Sequence, residues 1–301
     1  MAVVVQRLHP GELDLDAALV RRLLAAQFPD WAELPLERVR STGTDNAIFR
    51  LGHELAVRLP RTASAAARPG KEIEWLPRLA PHLPLEVPTP IAAGEPGDGY
   101  PWRWSVCTWL AGEAAATAQI DDLDAAARGL AGFVRALQRI DATGAPAPGE
   151  HNAFRGVPLA VRDRAVRRAL PRQPRDVDVG AATAAWERAL AAPAWGGPSV
   201  WLHGDLLGGN VLVRNGRICA VIDFGCLGAG DPACELLPAW TFLSGARATF
   251  HASLTVDDAT WARGRGWALS WALIALPYYL DTNPPFAADA RAAIDEVLAD
   301  R

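Results

Sequence analysis

The sequence predicts an α+β fold, with a small antiparallel sheet in its N-terminal part and a mainly helical C-terminal part. Short β-type runs joined by turn-prone residues lie between Glu37 and Leu59 and indicate the sheet. Apolar residues at helical spacing dominate after Leu123, apart from one β-rich island from Val200 to Ile222. A chain of 301 residues is longer than a typical single core. We therefore expect two lobes, residues 1–110 and 111–301.

The predicted N-terminal lobe consists of a leading helix, a small sheet and one further helix. The leading helix runs from Leu13 to Phe28 and ends before a proline. A second helix is predicted from Glu72 to Leu79, and a proline-rich passage then leads to a further strand. The predicted strands are Val39, Ile48–Leu51, Leu55–Leu59 and Trp102–Leu110.

The predicted C-terminal lobe follows a Gly/Ala-rich connection, Ala111 to Ala118. Its helices are expected at Leu123–Ile140, Ala181–Leu190 and Trp261–Leu280. Within the β-rich island, two apolar runs flank an Asn215-Gly216 pair, which is a strong signal for a tight hairpin turn. This hairpin would bring the residues before its first strand close to those after its second.

The composition excludes several classes of protein. Half of the residues are hydrophobic, 21% are charged and the net charge is −4, which is typical of a globular protein and not of one that coats nucleic acid. The late apolar segment from Trp267 to Leu280 contains Ser270 and Pro277 and is too short to span a bilayer. No secretory signal pattern is evident, so we expect a cytoplasmic protein without nucleic-acid or membrane partners. The oligomeric state stays open.

Three short polar side chains are predicted to meet at one end of the hairpin. Asp205 and Asn210 precede its first strand, and Asp223 follows its second. Phosphoryl transfer from ATP needs hard oxygen ligands for a metal, an acceptor for a hydroxyl proton and a cation on the phosphates. The spacing from Asp205 to Asn210 equals that between the base and the metal-binding asparagine of a kinase catalytic loop. Each residue alone is equally compatible with a turn or a cap.

The motifs around these residues resemble those of the aminoglycoside phosphotransferase family. They are His203-Gly204-Asp205 with Asn210, Ile222-Asp223-Phe224-Gly225 and Gly230-Asp231-Pro232-Ala233. The resemblance implies a bilobal, protein-kinase-like fold that binds ATP between its lobes. It implies that Asp205, within the catalytic motif that His203 begins, is the base, and that Asn210 and Asp223 bind Mg²⁺ ions. Asp231 would brace the catalytic loop or simply cap a helix.

The same resemblance assigns a nucleotide site to the N-terminal half. Arg58 stands where the family has a lysine, and Glu72 would be its partner; the alternative for Arg58 is a solvent-facing strand residue. Lys71 is the only lysine among 30 basic residues. Gly43 and Thr44 belong to a glycine-poor phosphate loop. Adenine is expected against the backbone from Cys107 to Trp109, which is equally plausible as an ordinary strand.

The acceptor of the phosphate is not determined by the sequence. We expect a hydroxylated small molecule, and an antibiotic, a sugar or another metabolite are all compatible. Aminoglycosides are polycations that require carboxylates. Candidate acids in the C-terminal lobe are Asp176, Asp178, Asp257, Asp258, Asp281, Asp295 and Glu296, although the segment from Arg155 to Arg175 has seven arginines and one acid. A catalytically idle nucleotide-binding relative and a metal-dependent hydrolase using His203 and Asp205 are the alternative functions.

Overall fold

The computed structural model of the chain describes residues 13, 15–39, 45–66 and 69–300. These residues form two compact units. The first contains the described residues up to Pro81 together with Glu86–Ala111, and the second contains His82–Leu85 and the chain from Gly112 onward.

The first unit is built on one antiparallel sheet, as predicted. Its strands are β1 Leu36–Arg38, β2 Asn46–Leu51, β3 Leu55–Pro60, β4 Pro90–Gly94 and β5 Trp104–Thr108, in the order β1-β2-β3-β5-β4. Its helices are α1 Ala17–Gln27, the single turn α2 Ala63–Ala66 and α3 Pro69–Leu79. Leu23 and Leu24 of α1 join Phe49, Val57 and Trp104 of the sheet in one hydrophobic core.

The start of α1 and the presence of one strand differ from the prediction for local reasons. Helix α1 begins at Ala17 and not at Leu13, because the side chain of Asp16 accepts a hydrogen bond from the Leu19 N–H at 2.7 Å and caps the helix. Strand β4 was not predicted, since it lies in the proline-rich passage. It is an edge strand that begins at Pro90, and these are the two settings in which a strand tolerates proline.

The second unit is mainly helical, with two small antiparallel sheets. Its helices are α4 Leu123–Arg139, α5 Asp163–Ala169, α6 Val179–Ala191, α7 Arg247–Leu254, α8 Asp258–Tyr279 and α9 Pro284–Ala299. Its strands are β6 Glu113–Ala114, β7 Val200–Leu202, β8 Val211–Arg214, β9 Arg217–Val221 and β10 Gly228–Gly230, paired as β6-β8-β9 and β10-β7. Helices α5, α7 and α9 were not predicted, and α5 is only seven residues long.

Helix α8 is the buried helix that the sequence predicts near Trp267. Trp267, Ala268 and Leu269 have no exposed surface, and α8 packs against α6, α9 and a 3₁₀ helix over Pro232–Trp240. None of the helices in the described part of the chain combines the length and the hydropathy that crossing a bilayer requires.

The predicted hairpin is confirmed. Strands β8 and β9 pair antiparallel, with Val211 opposite Val221 and Arg214 opposite Arg217. Asn215 and Gly216 connect them with φ values of 52° and 70°, as the tight hairpin turn that Asn-Gly favours requires. The residues that flank the hairpin are therefore held together at its open end.

Candidate active site

The segment from His203 to Asn210, here called the catalytic loop, connects β7 to β8. Its bend depends on Gly204, which has a φ of +82°. A Cβ atom at this position would lie 2.7 Å from the carbonyl oxygen of Cys226 and 3.0 Å from the side chain of Arg155. Glycine is therefore required here both for the backbone conformation and for space.

His203 holds the loop from within the protein. Its side chain is fully buried. Its Nε2 lies 3.0 Å from the carbonyl oxygen of Ile222, and its Nδ1 accepts the backbone N–H of Asp205 at 3.1 Å. These two bonds place the proton on Nε2. Burial lowers the pKa of His203 to about 4, although the Ile222 carbonyl and the charge of Asp223 oppose that shift, so the ring is neutral at pH 7.

Glu235, in the 3₁₀ helix over Pro232–Trp240, anchors the start of the catalytic loop. It is fully buried. Its two carboxylate oxygens accept the backbone N–H groups of His203 at 2.9 Å and Gly204 at 2.7 Å. Burial raises the pKa of Glu235 to about 7, against these two N–H groups, which favour the ionised form. The carboxylate thus supplies hydrogen-bond acceptors for two buried backbone N–H groups of the loop.

Asp205 lies between a cation and an amide. Nη2 of Arg155 is 3.2 Å from its Oδ1, and Nδ2 of Asn210 donates to its Oδ2 at 3.0 Å and to its backbone oxygen at 2.9 Å. The contacts reach both oxygens of the carboxylate, so they fix the orientation of the side chain.

Asp223 directly follows the residue that bonds to Asn210 at the open end of the hairpin. The backbone N–H of Ile222 donates to the carbonyl oxygen of Asn210 at 2.9 Å. Asp223 follows directly, in a left-handed conformation with a φ of 62°, and its side chain accepts the Gly225 N–H at 3.4 Å. A left-handed aspartate is uncommon and is concentrated at functional sites. The predicted grouping of Asp205, Asn210 and Asp223 is present in this unit.

Asp231 has a different neighbourhood from the one that the resemblance implies. Its carboxylate receives Nε and Nη2 of Arg263 at 2.9 and 3.1 Å and the N–H of Ala233 at 3.0 Å. It therefore caps the 3₁₀ helix and forms a buried ion pair with α8. The carboxylate that binds the catalytic loop is that of Glu235.

The first unit contains the predicted pair of Arg58 and Glu72. Nη1 of Arg58 on β3 lies 2.6 Å from Oε2 of Glu72 on α3, and both residues are at least nine-tenths buried. Ser105 and Cys107 line a small cavity with this pair. Arg58 is thus not a solvent-facing strand residue.

The other residues predicted to contact the nucleotide are Trp109 in the first unit and the loop with Gly43 and Thr44. The backbone N–H of Trp109 donates to the carbonyl oxygen of Glu54 at 2.6 Å, while the Trp109 ring lies beneath the guanidinium of Arg50 at 5.3 Å. Gly43 and Thr44 lie outside the described residues.

Comparison with known proteins adds a decisive observation. The family described as "Phosphotransferase enzyme family" matches residues 37–267, which is more than half of the chain. The chain belongs to this phosphotransferase family. No curated protein matches it.

Solved structures similar to this phosphotransferase support the predicted fold class. The GDP complex of an aminoglycoside 2′-phosphotransferase-IIIa is 18% identical with a TM-score of 0.73, covering 95% of this chain and 99% of the other. A streptomycin–ATP–APH(2″)-IIa ternary complex is 19% identical, with a TM-score of 0.59 and coverages of 87% and 90%. A macrolide 2′-phosphotransferase from Brachybacterium faecium is 24% identical, with a TM-score of 0.58 and coverages of 93% and 98%.

Sequence reasoning missed two residues that shape this phosphotransferase's site. Glu235 was recognisable as a charged residue in the otherwise apolar run from Ala233 to Leu237. Arg155 carried no such signal, because it is one of many arginines and lies 50 residues before Asp205. Only the fold brings it to the catalytic loop.

Proposed function

We propose that this phosphotransferase transfers the γ-phosphate of ATP to a hydroxyl group of a small molecule. The observation that carries the proposal is the environment of Asp205, which Arg155 and Asn210 orient from two sides. A general base must be held in a fixed orientation, and these two contacts hold the Asp205 carboxylate in one.

In the proposed reaction Asp205 accepts the proton of the acceptor hydroxyl. The acceptor oxygen forms a bond to the γ-phosphorus as the bond to the bridging oxygen breaks, and ADP leaves with that electron pair. His203 does not exchange protons in this scheme, since both of its ring nitrogens are engaged and the ring is buried. Its role is to position Asp205 and Asp223.

Asn210 and Asp223 fit a Mg²⁺ site that nucleotide phosphates complete. Nδ2 of Asn210 is committed to Asp205, which leaves the amide oxygen for a metal. Mg²⁺ is usually bound by one or two carboxylates together with phosphate oxygens and waters. Within the described residues, no three His, Cys, Asp or Glu side chains form a metal site of their own, so phosphate oxygens would complete the set. The bound ion would neutralise charge on the phosphates.

Arg58 is the proposed phosphate cation, with Glu72 as the residue that positions it. Its backbone lies on a central strand, and its guanidinium is held by a charge-assisted hydrogen bond of 2.6 Å. The backbone from Cys107 to Trp109 remains the proposed adenine contact, and Gly43 and Thr44 the proposed phosphate loop. ATP as donor accords with a cytoplasmic location.

The proposal is tested by ATP consumption with a panel of aminoglycosides, macrolides, sugars and hydroxy acids, read by the mass of the product. We expect one acceptor class to gain the mass of a single phosphoryl group in a Mg²⁺-dependent reaction. The Asp205→Asn protein is the control and should give no product. Tight Mg·ATP binding without transfer to any acceptor would instead identify an idle nucleotide-binding relative.

A further inference from the structure

Two arginines lie close to a single buried tryptophan next to the catalytic loop. The guanidinium carbons of Arg155 and Arg162 lie 5.8 and 5.0 Å from the ring centre of Trp267. Trp267 has no exposed surface, and Arg155 is 7% exposed. Because Arg155 also contacts Asp205, this group, here called the Trp267 cluster, is adjacent to the proposed base.

The Trp267 cluster offers hydrogen-bond donors without matching acceptors. Nε of Arg155 and Nε1 of Trp267 are buried and have no hydrogen-bond partner among the described residues. Arg162 donates through Nε to the hydroxyl of Ser270 at 2.9 Å, and its Nη atoms have no partner in the described part of the chain. Guanidinium and indole groups only donate. Nε of Arg155 and Nε1 of Trp267 are enclosed, so the partly exposed guanidinium of Arg162 is the group of this cluster that a ligand with acceptor atoms can reach.

The positive charge of the cluster is only partly neutralised. Burial lowers the pKa of Arg155, but the opposing charges, that of Asp205 above all, leave this pKa raised. Burial lowers the pKa of Arg162 to about 9, and the neighbouring charge of Arg155 lowers it further in the same direction. No carboxylate within the described residues pairs with Arg162, which is incompletely buried. In the described part of the protein, Arg162 is thus a cation without a paired carboxylate.

Most acids that a polycationic acceptor would need are occupied elsewhere. Asp176 and Asp295 both bind Arg291, and Glu296 binds Arg247. Asp178 and Asp257 cap α6 and α8. Each of these five candidates therefore already has a structural partner, which a polycationic acceptor would have to replace or share.

We infer that the acceptor of this phosphotransferase carries an anionic group, a carboxylate or a phosphate, which Arg162 of the Trp267 cluster binds while the acceptor hydroxyl lies at Asp205. The inference rests on the proposed function, because it assigns the substrate class of the same site. The reacting hydroxyl and the anion would belong to one small molecule, since Arg155 contacts both Asp205 and the ring of Trp267.

The test uses four related six-carbon compounds that differ in charge. D-glucose, D-gluconate, D-glucose 6-phosphate and D-glucosamine are titrated into the full-length protein by calorimetry and assayed for ATP-dependent phosphorylation. We expect at least one of the two anions to bind about tenfold or more tightly than glucose, as a charged hydrogen bond commonly provides. Gluconate and glucose 6-phosphate distinguish a carboxylate from a phosphate site. Equal binding by all four compounds, no binding by either anion, or tightest binding by glucosamine would overturn the inference.

Variants of Arg162 test whether the preference for an anionic acceptor arises in the Trp267 cluster. Arg162→Gln should abolish the preference for the anion by raising KM with little change in kcat, and Arg162→Lys should retain part of it. Arg168→Gln is the matched control, because Arg168 is an exposed arginine of α5. A full anion preference in Arg162→Gln contradicts the assignment. If that variant does not fold, the comparison of the four compounds on the unmodified protein still decides the matter.

Two outcomes distinguish the anion site from the transfer reaction. Phosphorylation of a neutral or cationic acceptor only would uphold the transfer reaction and overturn the anion site. Binding of the anions without any consumption of ATP would uphold the anion site and overturn the transfer reaction.

Discussion

Nη2 of Arg155 lies 3.2 Å from Oδ1 of Asp205, in a pair whose arginine side chain is 9% exposed. A cation at this distance favours the ionised carboxylate and restricts its rotation. The arginine therefore positions the proposed base, and its effect on catalysis should be measurable separately from its effect on folding.

Replacing Arg155 should alter both the rate and its pH dependence. We expect Arg155→Gln to lower kcat by about tenfold or more and to move the acid limb of the kcat/KM profile to higher pH, since the carboxylate loses a neighbouring cation. Arg155→Lys should restore part of both. A lower rate with an unshifted profile would indicate a purely structural role.

Replacing Asp205 should remove transfer and spare nucleotide binding. Asp205→Asn removes the proton acceptor, so we expect kcat to fall about 10²- to 10⁴-fold. Calorimetric affinity for Mg·ATP should stay within about threefold of the unmodified protein. Retention of more than about a tenth of kcat would rule Asp205 out as the base.

Replacing Asp223 should instead weaken nucleotide binding. Asp223→Ala removes the carboxylate proposed to bind Mg²⁺, so Mg·ATP affinity and turnover should both fall, while affinity for metal-free ATP changes little. Calorimetry with and without Mg²⁺ separates the two. Unchanged Mg·ATP affinity would contradict the metal assignment.

Glu235 should make stability depend on pH near neutrality. Its pKa, raised to about 7 by burial, means that the folded protein binds more protons than the unfolded chain between about pH 4.5 and pH 7. The contribution of Glu235 to stability is therefore fully present below that window and is lost as the pH rises through about 7. We expect the difference in Tm between the unmodified protein and Glu235→Gln to shrink from pH 5 to pH 8.

A matched control for this measurement is Glu187→Gln. Glu187 is exposed and pairs with Arg167 on the surface, so its replacement should give a small Tm change that is constant over the same range. A parallel pH dependence in both variants would contradict the role of Glu235.

Gly204 should be intolerant of a side chain. Gly204→Ala places a Cβ 2.7 Å from the Cys226 carbonyl oxygen at a φ of +82°, and we expect a loss of about 1–3 kcal/mol of stability. Gly132→Ala is the control, because a Cβ there meets nothing within 4 Å inside α4. It should be neutral or slightly stabilising. Thermal denaturation compares the two, and equal Tm values would overturn the prediction.

Local chemistry explains which elements could be predicted. Asn215 and Gly216 favour the two positive φ values that the hairpin turn requires. The turn fixes the register of the hairpin strands, and this register brings Asn210 beside Ile222. The pairing of Arg58 with Glu72 was predicted from the resemblance of their strand and helix to the family's motifs. Strand β4 was hidden by its prolines, because edge position is a property of the whole sheet.

The sequence by itself determined the α+β class, the hairpin and the grouping of Asp205, Asn210 and Asp223, because turn preferences and periodicity act over a few residues. The tertiary structure alone decided that Glu235 binds the backbone of the catalytic loop. It also decided that Arg155 and Arg162 converge on Trp267. These contacts join residues about 30 to more than 100 positions apart, and which buried charges meet depends on how the helices of the second unit pack.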